Sequence, residues 1–254
     1  MHNNKILGQH FLIDQSIIDL MSSQVMDKCE VLEVGAGDGR LTKEILKRAS
    51  TVVAVEIDER FKPDLLKLNS SGNLKVIIDN VLDLDLESFM DPGFQIVSSL
   101  PYHISEPFLH KIITWDISNA VLLVGDGLIR GSGKLALLID TFFKTELLSE
   151  VSKKSFSPVP RTDSVVLKLT PKKGGESSDL VIKELFLTAH RGGLLKNVLR
   201  EKLIKLFDLT QKQSKEKVDS LGLESLILNK SFDQLNNHEL ESFCYNLRHH
   251  GDTK

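Results

Sequence analysis

The stretch CEVLEVGAGDGRL (29–41) constrains the fold more than any other part of the chain. An apolar run leads into three glycines, each separated by one residue, and a helical spacing of apolar residues follows. Because strands of a parallel sheet that is covered on both faces read as continuous apolar runs, we predict an α/β fold built on such a sheet. The five runs of this kind are CEVLEVG, TVVAVEID, LKVIIDN, FQIVSS and NAVLLVG.

The pattern changes at PKKGGESSD (Pro171–Asp179), where proline, glycine and serine cluster with charged residues. Just before it, SVVLKLT (Ser164–Thr170) predicts a late strand at the edge of the sheet. Beyond it, leucine, lysine and glutamate recur with helical spacing. We therefore predict a first domain over residues 1–172 and a small all-helical domain over residues 178–254.

The net charge of −3 argues by itself against a nucleic-acid partner, but the charge is unevenly distributed along the chain. Between residues 190 and 217, eight lysines and arginines stand against three acids. Such a run is typical of a solvated helical face, and it can also contact phosphates. The eight cations are Arg191, Lys196, Arg200, Lys202, Lys205, Lys212, Lys215 and Lys217.

Cysteine content and hydropathy bear on the compartment. Cys29 and Cys244 lie near opposite ends of the chain, without the spacing of a disulfide framework or a metal site. No apolar run approaches the roughly 20 residues that cross a bilayer, and MHNNKILGQHF lacks a signal-peptide core. We expect a soluble cytoplasmic protein that does not associate with membranes.

The glycine turn predicts a ligand site. Glycines let the backbone approach a ligand closely, and Glu56, which ends the next apolar run, can accept both hydroxyls of a ribose. A tight turn without a ligand is the alternative, and Glu56 favours a nucleoside cofactor. The spacing E-x-G-x-G-x-G resembles the first motif of class I methyltransferases, which bind S-adenosylmethionine, whose cationic groups suit Glu33 and Asp38. The dinucleotide pattern G-x-G-x-x-G fits less well.

The segment IVSSLPYHISEPF (96–108) predicts a pocket for a flat base. An exocyclic amine must pyramidalise before it takes a methyl group, and acceptors such as the Ser99 side chain and the carbonyl region of Pro101 stabilise that geometry. Proline fixes the backbone, and Tyr102 can stack on the base. A rigid turn with Tyr102 packed in the core is the alternative. The neighbouring glycine turn and Glu56 favour the pocket.

Five blocks of the sequence, in order, resemble the small-subunit ribosomal RNA adenine N6,N6-dimethyltransferase family of the KsgA type, which has Erm-type relatives. The similarity extends over about residues 5–170, and AHRGGLLKNVL more loosely resembles the basic C-terminal helix of the family. The blocks are LGQHFLID (7–14), EVGAGDGRLT (33–42), VVAVEID (52–58), SLPYHISEP (99–107) and FSPVPRTDSVVLKL (156–169).

The resemblance implies a seven-stranded, Rossmann-like class I methyltransferase domain, followed by a small helical domain that helps to hold rRNA. It implies transfer of methyl groups from S-adenosylmethionine to two adjacent adenosines near the 3′ end of small-subunit rRNA. We expect a monomer that acts on a pre-ribosomal particle and uses no metal. The implied catalytic residues are Ser99, Leu100, Pro101 and Tyr102, and the implied cofactor-binding residues are His10, Leu12, Gly35, Gly37, Glu56, Asn80 and Ser99.

The sequence departs from the family pattern in three places. Ser99 replaces the usual asparagine, Gly192 and Gly193 replace basic residues, and VGDGLIRGSGKLALLID (124–140) lacks the Gln and Glu of the usual Q-x-E helix. Three hypotheses follow. The chain is an active dimethyltransferase of small-subunit rRNA, a non-catalytic homologue that binds rRNA during ribosome assembly, or a methyltransferase of large-subunit RNA or another nucleic acid.

Overall fold

The computed structural model describes residues 9–130, 133–174, 176–188 and 192–250. Leu7 and Gly8 of the first block and Arg191 of the basic run lie outside these ranges. The strands are β1 (Phe11–Leu12), β2 (Glu30–Val34), β3 (Thr51–Glu56), β4 (Leu74–Ile78), β5 (Phe94–Ser99), β6 (Ile117–Gly125), β7 (Phe143–Val151), β8 (Phe156–Ser157) and β9 (Ser164–Pro171). The helices are α1 (Gln15–Ser23), α2 (Arg40–Ile45), α3 (Lys62–Lys67), α4 (Ser105–Ile112), α5 (Gly127–Arg130), α6 (Lys134–Phe142), α7 (Ser177–Thr188), α8 (Leu195–Phe207), α9 (Gln211–Ser220), α10 (Ser225–Leu228) and α11 (Asn237–His250).

Seven strands form one sheet in the order β4-β3-β2-β5-β6-β9-β7. Strands β2 to β6 pair in parallel, and β9 runs antiparallel to β6. Helices α2, α3 and α4 connect successive parallel strands, as a parallel sheet requires. The predicted α/β class and the implied seven-stranded sheet are both confirmed.

The centre of the sheet explains the continuous apolar runs of the sequence. At consecutive central positions of β2, β3 and β5, side chains on both faces are at most 1% exposed, so each strand needs apolar residues in succession. Burial of each such side chain contributes about 1.5–3 kcal/mol. Examples from the three strands are Val31, Leu32, Val52, Val53, Ile96 and Val97.

The prediction that SVVLKLT forms the edge of the sheet is wrong. The strand itself is present as β9, but it lies between β6 and β7, and its Val165, Val166 and Leu167 are at most 1% exposed. The edge is β7, whose sequence FKTELLSEV is exposed over most of its length. A strand with little buried surface has no apolar run, which is why the sequence pattern did not indicate it.

Two of the five sequence blocks meet beside the sheet. Strand β1 pairs antiparallel with β8, so that Phe11 lies opposite Ser157. Asp14 caps α1 by accepting a hydrogen bond from the Ser16 N–H at 3.1 Å, and its second carboxylate oxygen accepts one from Ser155 Oγ at 2.8 Å. These contacts fix residues 11–14 against residues 155–157.

The chain divides into two compact units. Among the described residues, the first comprises 9–130 and 144–171, and the second comprises 133–143 and 172–250. Segment 133–143, which the sequence-based division assigned to the first domain, packs with the second unit, where the Phe142 and Phe186 rings meet edge to face at 6.1 Å. Beyond β9 the described chain is helical, as predicted.

One cation of the basic run does not face solvent. Lys202 on α8 is 3% exposed, and its Nζ lies 3.4 Å from the Glu184 carboxylate on α7 and 3.6 Å from that of Glu201. A buried ammonium requires such partners. Lys202 therefore joins two helices of the second unit and cannot contribute to a phosphate-binding face.

Candidate active site

One cavity of the first unit opens at the carboxyl ends of β2, β3 and β5, where ligands bind in open parallel sheets. It contains about 1140 Å³ of empty space, which includes open solvent. Every residue that the sequence analysis assigned to the site lines it. These residues are His10, Leu12, Gly35, Gly37, Glu56, Asn80, Ser99, Leu100, Pro101 and Tyr102.

The glycine turn after β2 closes tightly on its neighbours. Gly35 has a φ of +70°, and a Cβ there would lie 3.2 Å from Cδ of Pro101. Gly37 has a φ of +53°, and a Cβ there would lie 3.2 Å from Cε1 of Phe11. Only glycine combines this backbone conformation with such close packing. The turn therefore brings the predicted cofactor loop into contact with the predicted base pocket.

Glu56, at the end of β3, organises the glycine turn. Its carboxylate is 5% exposed and accepts hydrogen bonds from the Gly37 N–H at 2.8 Å and the Asp58 N–H at 2.9 Å, one on each oxygen. A carboxylate offers about four acceptor positions. Two positions therefore stay available on a side chain that lines the cavity, which suits a pair of ribose hydroxyls.

Asn80 lies in a turn after β4 whose hydrogen bonds use its side chain. Its Oδ1 accepts from the Leu82 N–H at 3.1 Å, and its Nδ2 donates to the Asp83 carboxylate at 2.7 Å. Lys111 on α4 fixes the same turn by donating to the Leu82 carbonyl at 2.5 Å. The Asn80 oxygen keeps one acceptor position, which suits an amino group of a bound base.

Glu33, on β2, is the buried acid of the cavity wall. It is 1% exposed, and its Oε2 has no hydrogen-bond partner among the described residues. Burial raises the pKa of Glu33 to about 8, and the negative charges of Glu56 and Asp38 add to the rise. Thr42, whose buried hydroxyl lies beside Glu33 without a well-aligned bond, opposes the shift. A ligand that carries a positive charge would favour the ionised form of Glu33 and could interact with this oxygen, which has no partner among the described residues.

Replacing Glu33 with glutamine should make the protein without ligand more stable at alkaline pH. The folded pKa of about 8 exceeds the unfolded value of 4.5, so the folded state binds the proton more tightly. Wild-type stability should therefore fall between pH 4.5 and 8 and be lowest above pH 8, by a few kcal/mol. Glu33→Gln should lack this fall. Denaturant unfolding at pH 5 to 9 measures it, with the exposed Glu59→Gln as control, and parallel profiles would contradict the assignment.

The turn after β5 leads directly into α4, and hydrogen bonds at the start of this helix occupy the carbonyl of Pro101. The Pro101 carbonyl accepts hydrogen bonds from the Ile104 N–H at 3.1 Å and the Ser105 Oγ at 3.3 Å. Both acceptor positions of this oxygen are thereby occupied, and it is not available to a substrate amine as the sequence analysis expected. The half-buried Ser99 hydroxyl lines the cavity, together with Leu100.

Tyr102 lies half-buried at the cavity, at the start of a 3₁₀ turn that leads into α4. Its ring centre lies 6.0 Å from that of His10, with the planes inclined by 34°. The His10 ring is anchored in turn by a 2.7 Å hydrogen bond between Nδ1 and the Pro158 carbonyl. The two rings form an aromatic wall next to the glycine turn.

Several cavity residues were not identified from the sequence. Gln9 donates to the Asp58 carboxylate at 3.0 Å, and Ile57, directly after Glu56, is 56% exposed although it is apolar. An apolar residue directly after Glu56 was an available signal in the sequence. The contribution of Phe156 could not be detected, because it depends on the pairing of β8 with β1.

Metal sites and membrane-spanning helices are both absent from the described ranges. No group of three or more histidine, cysteine or carboxylate side chains there could hold a metal ion. No helix in the same ranges is long and apolar enough to cross a membrane.

Comparison with known structures shows the same fold. A dimethyladenosine transferase from Plasmodium falciparum superposes with a TM-score of 0.61 at 22% identity, over 95% of this chain and 98% of that chain. The 23S rRNA methyltransferase ErmE gives a TM-score of 0.61 at 20% identity, over 94% of this chain and 99% of that chain. The Rossmann-like methyltransferase fold implied by the resemblance is thus confirmed.

Sequence comparison establishes the family. The chain is 32% identical to the probable ribosomal RNA small subunit methyltransferase A of Methanococcus maripaludis, over 90% of this chain and 98% of the relative. It is 31% identical to the ribosomal RNA small subunit methyltransferase A of Mycoplasmopsis pulmonis, over 88% of this chain and 96% of the relative. The family described as ribosomal RNA adenine dimethylase matches residues 1–237. The chain therefore belongs to the ribosomal RNA adenine dimethylase family.

Proposed function

We propose that the protein dimethylates the exocyclic amines of adjacent adenosines near the 3′ end of small-subunit rRNA. As a family member, the chain is an rRNA adenine dimethyltransferase that uses S-adenosylmethionine. The observation that carries the site assignment is the contact between Gly35 and Pro101, because it joins the cofactor turn and the base pocket in one cavity. The small subunit is favoured because both curated relatives described above are named for it.

The cavity residues fit the cofactor, which supplies an electrophilic methyl group when bound. Glu56 binds the ribose hydroxyls with its two remaining acceptor positions. Glu33 offers its partnerless oxygen to a cationic group. Asn80 accepts a hydrogen bond from the amino group of the cofactor's adenine. These assignments account for the acidic wall and for the close approach of the glycine backbone.

The target base is held by the turn after β5. The Ser99 hydroxyl and the Leu100 carbonyl accept hydrogen bonds from the amine as it pyramidalises, since the Pro101 carbonyl is already occupied by α4. Tyr102 stacks on the base, which has to leave its helix to reach the cavity. Catalysis then results from positioning and from prearranged acceptors, without an acid–base residue.

The non-catalytic alternative is not favoured, because a protein that only binds rRNA has no need for a complete cofactor cavity. The feature of the sequence that most favoured this alternative is the missing Q-x-E helix. In the structure, the helix that directly follows β6 is the single turn α5 (Gly127–Arg130). That departure lies beyond the end of β6, and the residues proposed to hold the cofactor all line the cavity.

Methyl transfer to isolated ribosomal subunits tests the proposal. The protein and labelled S-adenosylmethionine are incubated with undermethylated small subunits, and large subunits serve as the control. We expect label on two adjacent adenosines near the 3′ end of the small-subunit rRNA. Label on large-subunit RNA alone would instead support the hypothesis that the protein methylates large-subunit RNA. Binding of both cofactor and subunits without methyl transfer would refute the enzyme assignment.

The oligomeric state, the partner particle and the compartment are also proposed from the family membership. We expect a monomer that acts on a pre-ribosomal particle in the cytoplasm. Sedimentation of the purified protein measures its oligomeric state, and fractionation of cell extracts shows whether it comigrates with immature small subunits. Comigration with mature ribosomes alone would contradict the pre-ribosomal assignment.

A further inference from the structure

Tyr102 lies against the ends of β6 and β9. Its hydroxyl lies 2.7 Å from Oγ of Ser164, which is 1% exposed at the first position of β9. Ser164 lies directly opposite Gly125, the last residue of β6. Residues that are directly opposed in an antiparallel pair project to the same face of the sheet. The Ser164 hydroxyl and the open space at Gly125 therefore lie on the side from which Tyr102 approaches.

One edge of the Tyr102 ring faces Gly125 at the end of β6. A Cβ at this position would lie 3.5 Å from Cδ1 and 3.7 Å from Cε1 of Tyr102, so the ring lies beside the end of β6 with room for no more than a small side chain between them. The family pattern has glutamine in the segment that begins here, and this chain has VGDG (124–127). The ring is thus held at its hydroxyl by Ser164, while one of its edges faces Gly125.

The phenol keeps its proton at neutral pH. Burial raises the pKa of Tyr102, and the negative charges of Asp126 and Asp163 add to the rise, while the hydrogen bond with Ser164 opposes it. A neutral phenol and a serine hydroxyl can each donate to or accept from the other. The bond between them is therefore maintained whichever of the two donates.

We propose that Ser164 is a positioning residue for methyl transfer, because its hydroxyl fixes the Tyr102 phenol so that the ring presents its open face to the target base. This inference rests on the proposed function, in which Tyr102 is the stacking surface. A ring that is free to tilt holds the base less accurately, and small errors of position reduce the rate of a transfer that depends on alignment. Cofactor binding does not involve this bond.

A double-mutant cycle tests the inference. Ser164→Ala and Tyr102→Phe remove the same hydrogen bond from opposite sides, so each should lower kcat about tenfold, the rate equivalent of one hydrogen bond. The double variant should be no slower than either single variant. The dissociation constant for S-adenosylmethionine, measured by calorimetry, should be unchanged in all three. Independent losses that multiply in the double variant, or full activity in Ser164→Ala, would overturn the proposal.

Two further variants separate this inference from the proposed function. Ser118→Ala removes a serine at the opposite end of β6, whose hydroxyl donates to the Phe94 carbonyl at 3.2 Å, and it should keep full activity. Tyr102→Ala removes the stacking surface itself. If Tyr102→Ala is inactive while Tyr102→Phe and Ser164→Ala are fully active, the stacking role stands and the positioning role of Ser164 fails. If Ser164→Ala does not fold, Tyr102→Phe decides, since it removes the same bond.

Discussion

Tyr102→Ala is expected to lower methyl transfer by two to three orders of magnitude while leaving the affinity for S-adenosylmethionine nearly intact. Stacking of one base on an aromatic ring is worth about 1–3 kcal/mol, and loss of alignment adds to that cost. The cofactor contacts proposed for Glu33 and Glu56 do not involve Tyr102, because Glu33 lies on β2 and Glu56 lies on β3. The loss should therefore appear in kcat and in substrate affinity.

Single-turnover transfer to undermethylated small subunits measures the rate of methyl transfer. Calorimetric titration with S-adenosylmethionine measures the affinity for the cofactor. Tyr102→Phe is the matched control, because it keeps the ring and loses only the bond to Ser164. It should retain at least about a tenth of the activity. Full activity in Tyr102→Ala would show that the ring belongs to the core alone, as the alternative interpretation of the sequence held.

The parts of the site that lie close together in sequence were predictable. The glycine turn and the position of Glu56 follow from strand–turn–helix patterns of the sequence, and the structure connects them by the 2.8 Å bond from the Gly37 N–H to the carboxylate. A parallel sheet brings the ends of neighbouring strands to one edge, so residues that end apolar runs are expected to meet there.

Contacts between distant parts of the chain were not predictable in the same way. The bond between Tyr102 and Ser164 depends on β9 lying beside β6, and the sequence analysis placed that strand at the edge of the sheet. The burial of Lys202 depends on how α7 packs against α8. Local patterns carry no information about which strand or helix becomes a neighbour.

The carbonyl of Pro101 illustrates a third kind of limit. Its availability depends on whether the chain turns directly into a helix, and the 3₁₀ turn at Tyr102–Ile104 determines this. The sequence analysis favoured a pocket at SLPYHISEP over a rigid turn, and residues 99–104 of this segment line the cavity. It did not indicate that the Ile104 N–H and the Ser105 hydroxyl would occupy the proline oxygen.

Glu56→Ala should weaken binding of S-adenosylmethionine by at least about a hundredfold. The substitution removes the acceptors proposed for the ribose, and hydrogen bonds to charged groups contribute about 1.5–3 kcal/mol each. It also leaves the N–H groups of Gly37 and Asp58 without their partner, so the glycine turn should lose its order. Calorimetry with S-adenosylmethionine and with S-adenosylhomocysteine measures the affinity, and thermal unfolding without ligand measures the effect on the fold.

Two controls distinguish a ligand contact from a purely structural role. Glu59→Ala removes an exposed glutamate from the 3₁₀ turn that follows β3, and it should bind the cofactor normally. Glu56→Gln keeps one oxygen, but its amide nitrogen must face either the Gly37 or the Asp58 N–H, because the wild-type carboxylate accepts one bond on each oxygen. It should therefore be intermediate in both affinity and stability. If Glu56→Ala lowers the unfolding temperature while the cofactor still binds with wild-type affinity, the carboxylate supports the turn and does not touch the ribose.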